Sequence, residues 1–87
     1  MDKEQEYRIE FGKSLRKFRI QNTQKSLRMF AYEYDIPIAT LSRIENGLRD
    51  AQLTTLKRIS EGFGLPLGIF INKIEEQMPK QITLNDE

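Results

Sequence analysis

The chain has 87 residues and a mass of 10.3 kDa, room for one small domain and too little for a buried active site beside a separate cofactor-binding unit. It contains no Cys and no His. That removes disulfides, thiolate nucleophiles, the usual general base and the commonest zinc ligands, so no metal or other cofactor is expected and most hydrolytic chemistry falls away. The formal charge of +1 conceals a polarity. Residues 1–10 carry two basic against four acidic side chains, residues 11–50 eight against four, and residues 51–87 four against five. A basic centre between acidic ends fits a protein whose middle meets a polyanion, although such a cluster alone is more often only a solvated face.

Nine Leu, ten Ile and five Phe lift the chain above the roughly 20% of large apolar residues below which chains stay disordered. Val is absent and Thr scarce, so Ile is the main β-branched residue and helices are favoured over strands. The 13 Asp and Glu are scattered, with no pair set in an apolar run, so the expectation is a protein that is not an enzyme. No apolar run is long enough to cross a bilayer, and neither a leader nor a lipidation motif is visible. A soluble, cytoplasmic protein with no membrane partner is expected.

Phe11, Leu15 and Phe18 recur at i, i+4 and i+7 beside Ile9, with charged residues between them. This spacing predicts an amphipathic first helix over 5–21. Asn22-Thr23-Gln24-Lys25 interrupts it, and Ser26 can cap a second helix over 27–34 that carries Met29, Phe30, Ala31 and Tyr34. Asp35-Ile36-Pro37 ends that helix. Proline suits a first helical turn, so a third helix is expected over 38–46, closed by Gly47. After a loop at 48–52, Leu53, Leu56, Ile59, Ser60 and Phe63 form a fourth stripe over 53–63, ended by Gly64. Pro66 opens a fifth helix over 67–78 with the face Leu67, Phe70, Ile71, Ile74 and Met78, closed by Pro79. The expected architecture is an all-α single domain over 1–79 with a polar, frayed tail at 80–87.

Two short helices joined by a tight turn form the arrangement in which the second helix lies in the DNA major groove. At roughly 100° per residue, Leu41 and Ile44 of the third helix share one side, where they can bury against the first and fourth helices. Ile38, Ala39, Ser42 and Arg43 then point outward together. Arg43 can donate two hydrogen bonds to guanine, Ser42 can donate or accept, and Ile38 and Ala39 can meet thymine methyl groups. Equally, Arg43 and Ser42 can be plain solvent-facing residues, with Ile38 a partly buried helix start.

Residues 12–70 resemble the Cro/repressor-like, or XRE, helix-turn-helix family. Leu41-Ser42-Arg43-Ile44-Glu45-Asn46-Gly47 is similar to the family's signature, and Phe30-Ala31, Ile36, Thr55-Leu56 and Ile59 fall at its core positions. The resemblance implies a five-helix lambda-repressor-like domain that binds double-stranded DNA by sequence. It also implies a partly buried ion pair between Arg19 and Glu45, set against the alternative of two exposed charges worth under about 1 kcal/mol. Leu27 stands where the family commonly has a phosphate-binding Gln, so that contact passes to Lys25, Arg28 or helix amides. Asp35 replaces a turn glycine, and Ala51 a common proline. Thr40, Arg49, Gln52 and Thr54 are the remaining phosphate candidates.

A central charge of +4 is modest for DNA binding, so a homodimer is expected. Ile71, Ile74 and Met78 are the candidate interface, unless they simply complete the monomer core. A dimer places two recognition helices about 34 Å apart and implies an inverted-repeat operator. No small-molecule ligand is evident. Size and build are similar to restriction-modification controller proteins, small phage repressors and some antitoxins. The competing reading is a protein–protein module, such as an antitoxin docking a toxin, with DNA binding secondary.

Overall fold

In a computed structural model that describes residues 2–85, five helices follow one another: α1 Lys3–Thr23, α2 Leu27–Glu33, α3 Ile38–Glu45, α4 Leu53–Gly62 and α5 Leu67–Gln77. No strand occurs among the described residues. α1 begins two residues before the apolar spacing implies. Its start is set by Asp2, whose carboxylate accepts from the Gln5 amide at 2.7 Å, with Glu4 and Glu6 in the positively polarised first turn. α2 starts as read, with Ser26 Oγ accepting from the Met29 amide at 3.1 Å.

Three of the turns share one device. Ile36 N bonds Ala31 O at 2.9 Å, Leu48 N bonds Arg43 O at 2.9 Å and Leu65 N bonds Ser60 O at 3.0 Å. Each bond closes six residues around one left-handed residue: Asp35 at φ 59°, Gly47 at φ 70° and Gly64 at φ 69°. Asp tolerates this region better than most side chains, so the turn between α2 and α3 forms without glycine.

The core gathers one face from every helix: Leu15 and Phe18 of α1, Phe30 and Ala31 of α2, Leu41 and Ile44 of α3, Ile59 of α4, and Phe70 and Ile74 of α5, with Ile36 from the turn. Phe63 ties the aromatic part together, edge-on to Phe18 at 4.8 Å and stacked on Phe70 at 5.6 Å. α1 and α3 cross with backbones almost touching. A Cβ on Gly12 would lie 2.4 Å from Glu45 O and 2.5 Å from Ile44 O. On the other side of α1, Ser14 Oγ donates to Ile74 O of α5 at 2.8 Å.

The tail is less loose at its start than its composition implies. Lys80 forms an ion pair with Glu6, and Ile82 is half-buried. Residues 86 and 87 of the expected tail lie outside the described residues.

Candidate nucleic-acid interface

α3 has two unlike flanks because its sequence alternates at helical spacing. Leu41 and Ile44 are buried, while Ile38, Ala39 and Arg43 are exposed and Thr40 and Ser42 half-buried. The structure therefore brings Ile38, Ala39, Ser42 and Arg43 onto one open flank. Among the described residues the Arg43 guanidinium has neither an ion pair nor a hydrogen bond, so its donors face outward for an outside acceptor.

What holds that flank in place is the join between α3 and α1. Arg19 Nε donates to Glu45 Oε2 at 2.8 Å and Nη2 to Oε1 at 2.9 Å, a bidentate pair with side chains only 6% and 3% exposed. The pair is fully buried rather than partly so. The third nitrogen, Nη1, donates to Lys25 O at 2.7 Å and so fixes the link between α1 and α2 as well. One guanidinium thus sets the position of all three helices, in fork geometry that lysine cannot supply.

The phosphate candidates divide. Arg28, Arg49, Gln52 and Thr54 are exposed, whereas Lys25 is engaged within the molecule. Its ammonium pairs with Glu33, donates to Tyr34 Oη at 3.1 Å and lies 5.0 Å from the Tyr34 ring centroid. The Glu33 hydrogen bond, followed by that of Tyr34, holds the ammonium above the ordinary lysine range. Its charge is retained and largely compensated, so Arg28 is the freer cation at this end.

Two residues escaped the sequence reading. Arg16 is exposed and lines a groove of about 660 Å³ with Lys25, Ser26 and Asn46 at the end of α3. Asn46 is exposed and hydrogen-bonded to Ser42. Its i, i+4 spacing from Ser42 is the signal that finds it.

The three dimer candidates do not form one surface. Ile74 has no exposed area and completes the monomer core, so it cannot add to an interface, and that expectation is corrected. Half-buried Ile71 lies in an apolar cleft of about 390 Å³ with Phe11, Ile44, Ala51 and Leu56. Met78 lies apart, beside Ile82 and Thr83 of the tail. Among the described residues no group of three acidic side chains can hold a metal, and no helix is long and apolar enough to cross a membrane.

Two short helices in fixed relation, the second presenting one free polar flank, define a helix-turn-helix DNA-binding domain. Comparison with known proteins agrees: the helix-turn-helix family matches residues 15–70, and the chain belongs to its Cro/repressor-like (XRE) branch. It is 37% identical over 70 residues to control protein C.MunI of a Mycoplasma species, covering 80% of this chain and 95% of that protein. It is 31% identical over 58 residues to control protein C.BamHI of Bacillus amyloliquefaciens, covering 67% and 72%. The chain is a DNA-binding transcriptional regulator and not an enzyme.

Proposed function

We propose that the protein is a cytoplasmic controller of transcription that places α3 in the major groove and binds an inverted-repeat operator as a homodimer. The observation that carries this reading is the exposed Arg43, unpaired among the described residues, on the open flank of a helix locked by the buried Arg19–Glu45 pair. Arg43 reads a guanine, with Ile38 and Ala39 against thymine methyl groups. Arg28, Thr40, Arg49, Gln52 and Thr54 hold the flanking phosphates and set the register. The two control-protein relatives favour a controller over an antitoxin.

A second copy is supported by the surface around Ile71. The cleft is apolar at its base, and Arg8 and Asp50 on its walls, 3.8 Å apart within one chain, carry opposite charges, so two copies related by a two-fold axis can exchange ion pairs. Leu48 and Leu53, on either side in sequence of the cleft residues Arg49, Asp50 and Ala51, are 74% and 69% exposed, apolar area a partner covers at a gain. Binding-site selection from random duplexes tests the whole reading. The wild type enriches a short palindrome, and Arg43→Ala relaxes one base position in each half by about 1–3 kcal/mol. An unchanged selected motif refutes the assignment of Arg43. Sedimentation tests the dimer: Ile71→Gln shifts it toward monomer without altering the half-site selected.

A further inference from the structure

Asn46, the residue that ends α3, turns its side chain back by four positions. Nδ2 donates to Ser42 O at 2.8 Å and to Ser42 Oγ at 3.3 Å. A carbonyl oxygen only accepts, so the atom facing Ser42 O is the amide nitrogen, and the amide has one orientation. Nδ2 is thereby turned inward onto Ser42, while Oδ1 has no partner among the described residues. The Ser42 hydroxyl accepts from Nδ2, yet its own proton has no acceptor among the described residues; the Ile38 carbonyl one turn back, a common target for helical serine, does not receive it.

Toward an outside molecule the pair presents a donor, Ser42 Oγ–H, beside an acceptor, Asn46 Oδ1, on the flank that also carries Arg43. We propose that Ser42 and Asn46 together read an adenine in the major groove, beside the base read by Arg43. This rests on the reading of α3 as the recognition helix. Adenine presents N7, an acceptor, next to the N6 amino donor, which is the complement of this pair. Guanine presents two acceptors there, one of which would face Oδ1, and thymine presents O4 and a methyl group. A phosphate offers acceptors alone: it satisfies Ser42 but sets a negative oxygen against Oδ1. Arg43, all donor, suits guanine, so α3 separates the two purines by chemistry.

Ser42 is the contact, and Asn46 is both a contact and the brace that aims the hydroxyl. The test uses the operator recovered by selection, with each adenine replaced in turn by 7-deazaadenine, which lacks N7, or by purine, which lacks the amino group. At one adenine per half-site, the 7-deaza substitution weakens the wild type about three- to tenfold, the range of one hydrogen bond. It has no further effect on Ser42→Ala. Removing the amino group weakens the wild type and not Asn46→Ala, and Asn46→Ala also loses sensitivity to N7 because its hydroxyl is no longer aimed. Thermal unfolding and retained preference at the Arg43 position show that the variants fold. Indifference to N7 at every adenine, with Ser42→Ala weakening all duplexes alike, makes Ser42 a phosphate contact and overturns the proposal. So does a selected half-site that contains no adenine. If the wild type prefers no duplex at all, the recognition-helix reading itself falls, and the adenine assignment with it.

Discussion

Arg19 and Glu45 meet through two parallel hydrogen bonds across the crossing of α1 and α3, and both side chains are shut away from water. Removing one partner leaves a buried charge with no counter-ion, so Glu45→Ala and Arg19→Met each cost about 3–5 kcal/mol, whereas replacing both with apolar residues of similar volume costs much less. Denaturant unfolding of Glu45→Ala, Arg19→Met and the Arg19→Met/Glu45→Leu double variant checks this. If the double variant folds, it loses more DNA affinity than stability, because the link from Arg19 to Lys25 O goes with the guanidinium.

The left-handed residues of the three six-residue turns, Asp35, Gly47 and Gly64, give a graded series. Gly64 faces open space, so Gly64→Ala reports backbone strain alone, about 1 kcal/mol. Gly47→Ala adds a clash, since its Cβ would lie 2.5 Å from Ile9 Cα, and it is the costlier of the two. Asp35→Gly runs the other way and stabilises by up to about 1 kcal/mol. Among the described residues the only side-chain interaction it sacrifices is an exposed contact with Arg58 at 3.6 Å, which is worth little. Melting temperatures in the order Asp35→Gly, wild type, Gly64→Ala, Gly47→Ala are the expected result.

Alkaline pH acts through Tyr7. Its hydroxyl donates to Glu75 Oε2 at 2.6 Å, and burial, then that hydrogen bond, then the carboxylate's charge raise its pKa from 10.0 to about 12. The folded chain therefore holds this proton more tightly than the unfolded chain. The resulting stability is complete below pH 10 and is lost as pH rises through 12. Because Tyr7 is half-buried, solvent screening keeps the effect small. The difference in melting temperature between wild type and Tyr7→Phe should shrink between pH 10 and 12, and a difference that stays constant contradicts the assignment.

The helices were legible because each has a local cause: apolar spacing in α1, Ser26 before α2, Pro37 before α3, Gly64 after α4. What local pattern does not encode is which apolar residue reaches the centre. Ile71 and Ile74 look alike on the face of α5, but Ile74 lies under the Ser14 contact of α1 and Ile71 at the rim of a cleft. Lys25 is the same case among charges, since its pairing with Glu33 joins residues eight apart across a helix start. The open flank of α3 was legible because Leu41 and Ile44 fix its rotation. The bond from Asn46 to Ser42 was within reach of the same wheel, and was hidden by counting Asn46 only as part of a signature.

The pairing of Lys25 leads to a gain-of-function expectation. Each phosphate contact contributes about −0.9 to the slope of log affinity against log salt. Arg28 is exposed and unpaired among the described residues, so Arg28→Ala makes the slope shallower by about one per protomer and weakens all sequences alike. Glu33→Gln does the opposite: it removes the carboxylate that compensates Lys25 while keeping the size of the side chain, and so releases an ammonium beside the groove shared with Arg16 and Asn46. Tighter binding at low salt, a steeper slope and an unchanged selected motif are expected. Titrations at several salt concentrations measure all three, and a Glu33→Gln slope equal to that of the wild type shows that Lys25 takes no part in holding the backbone.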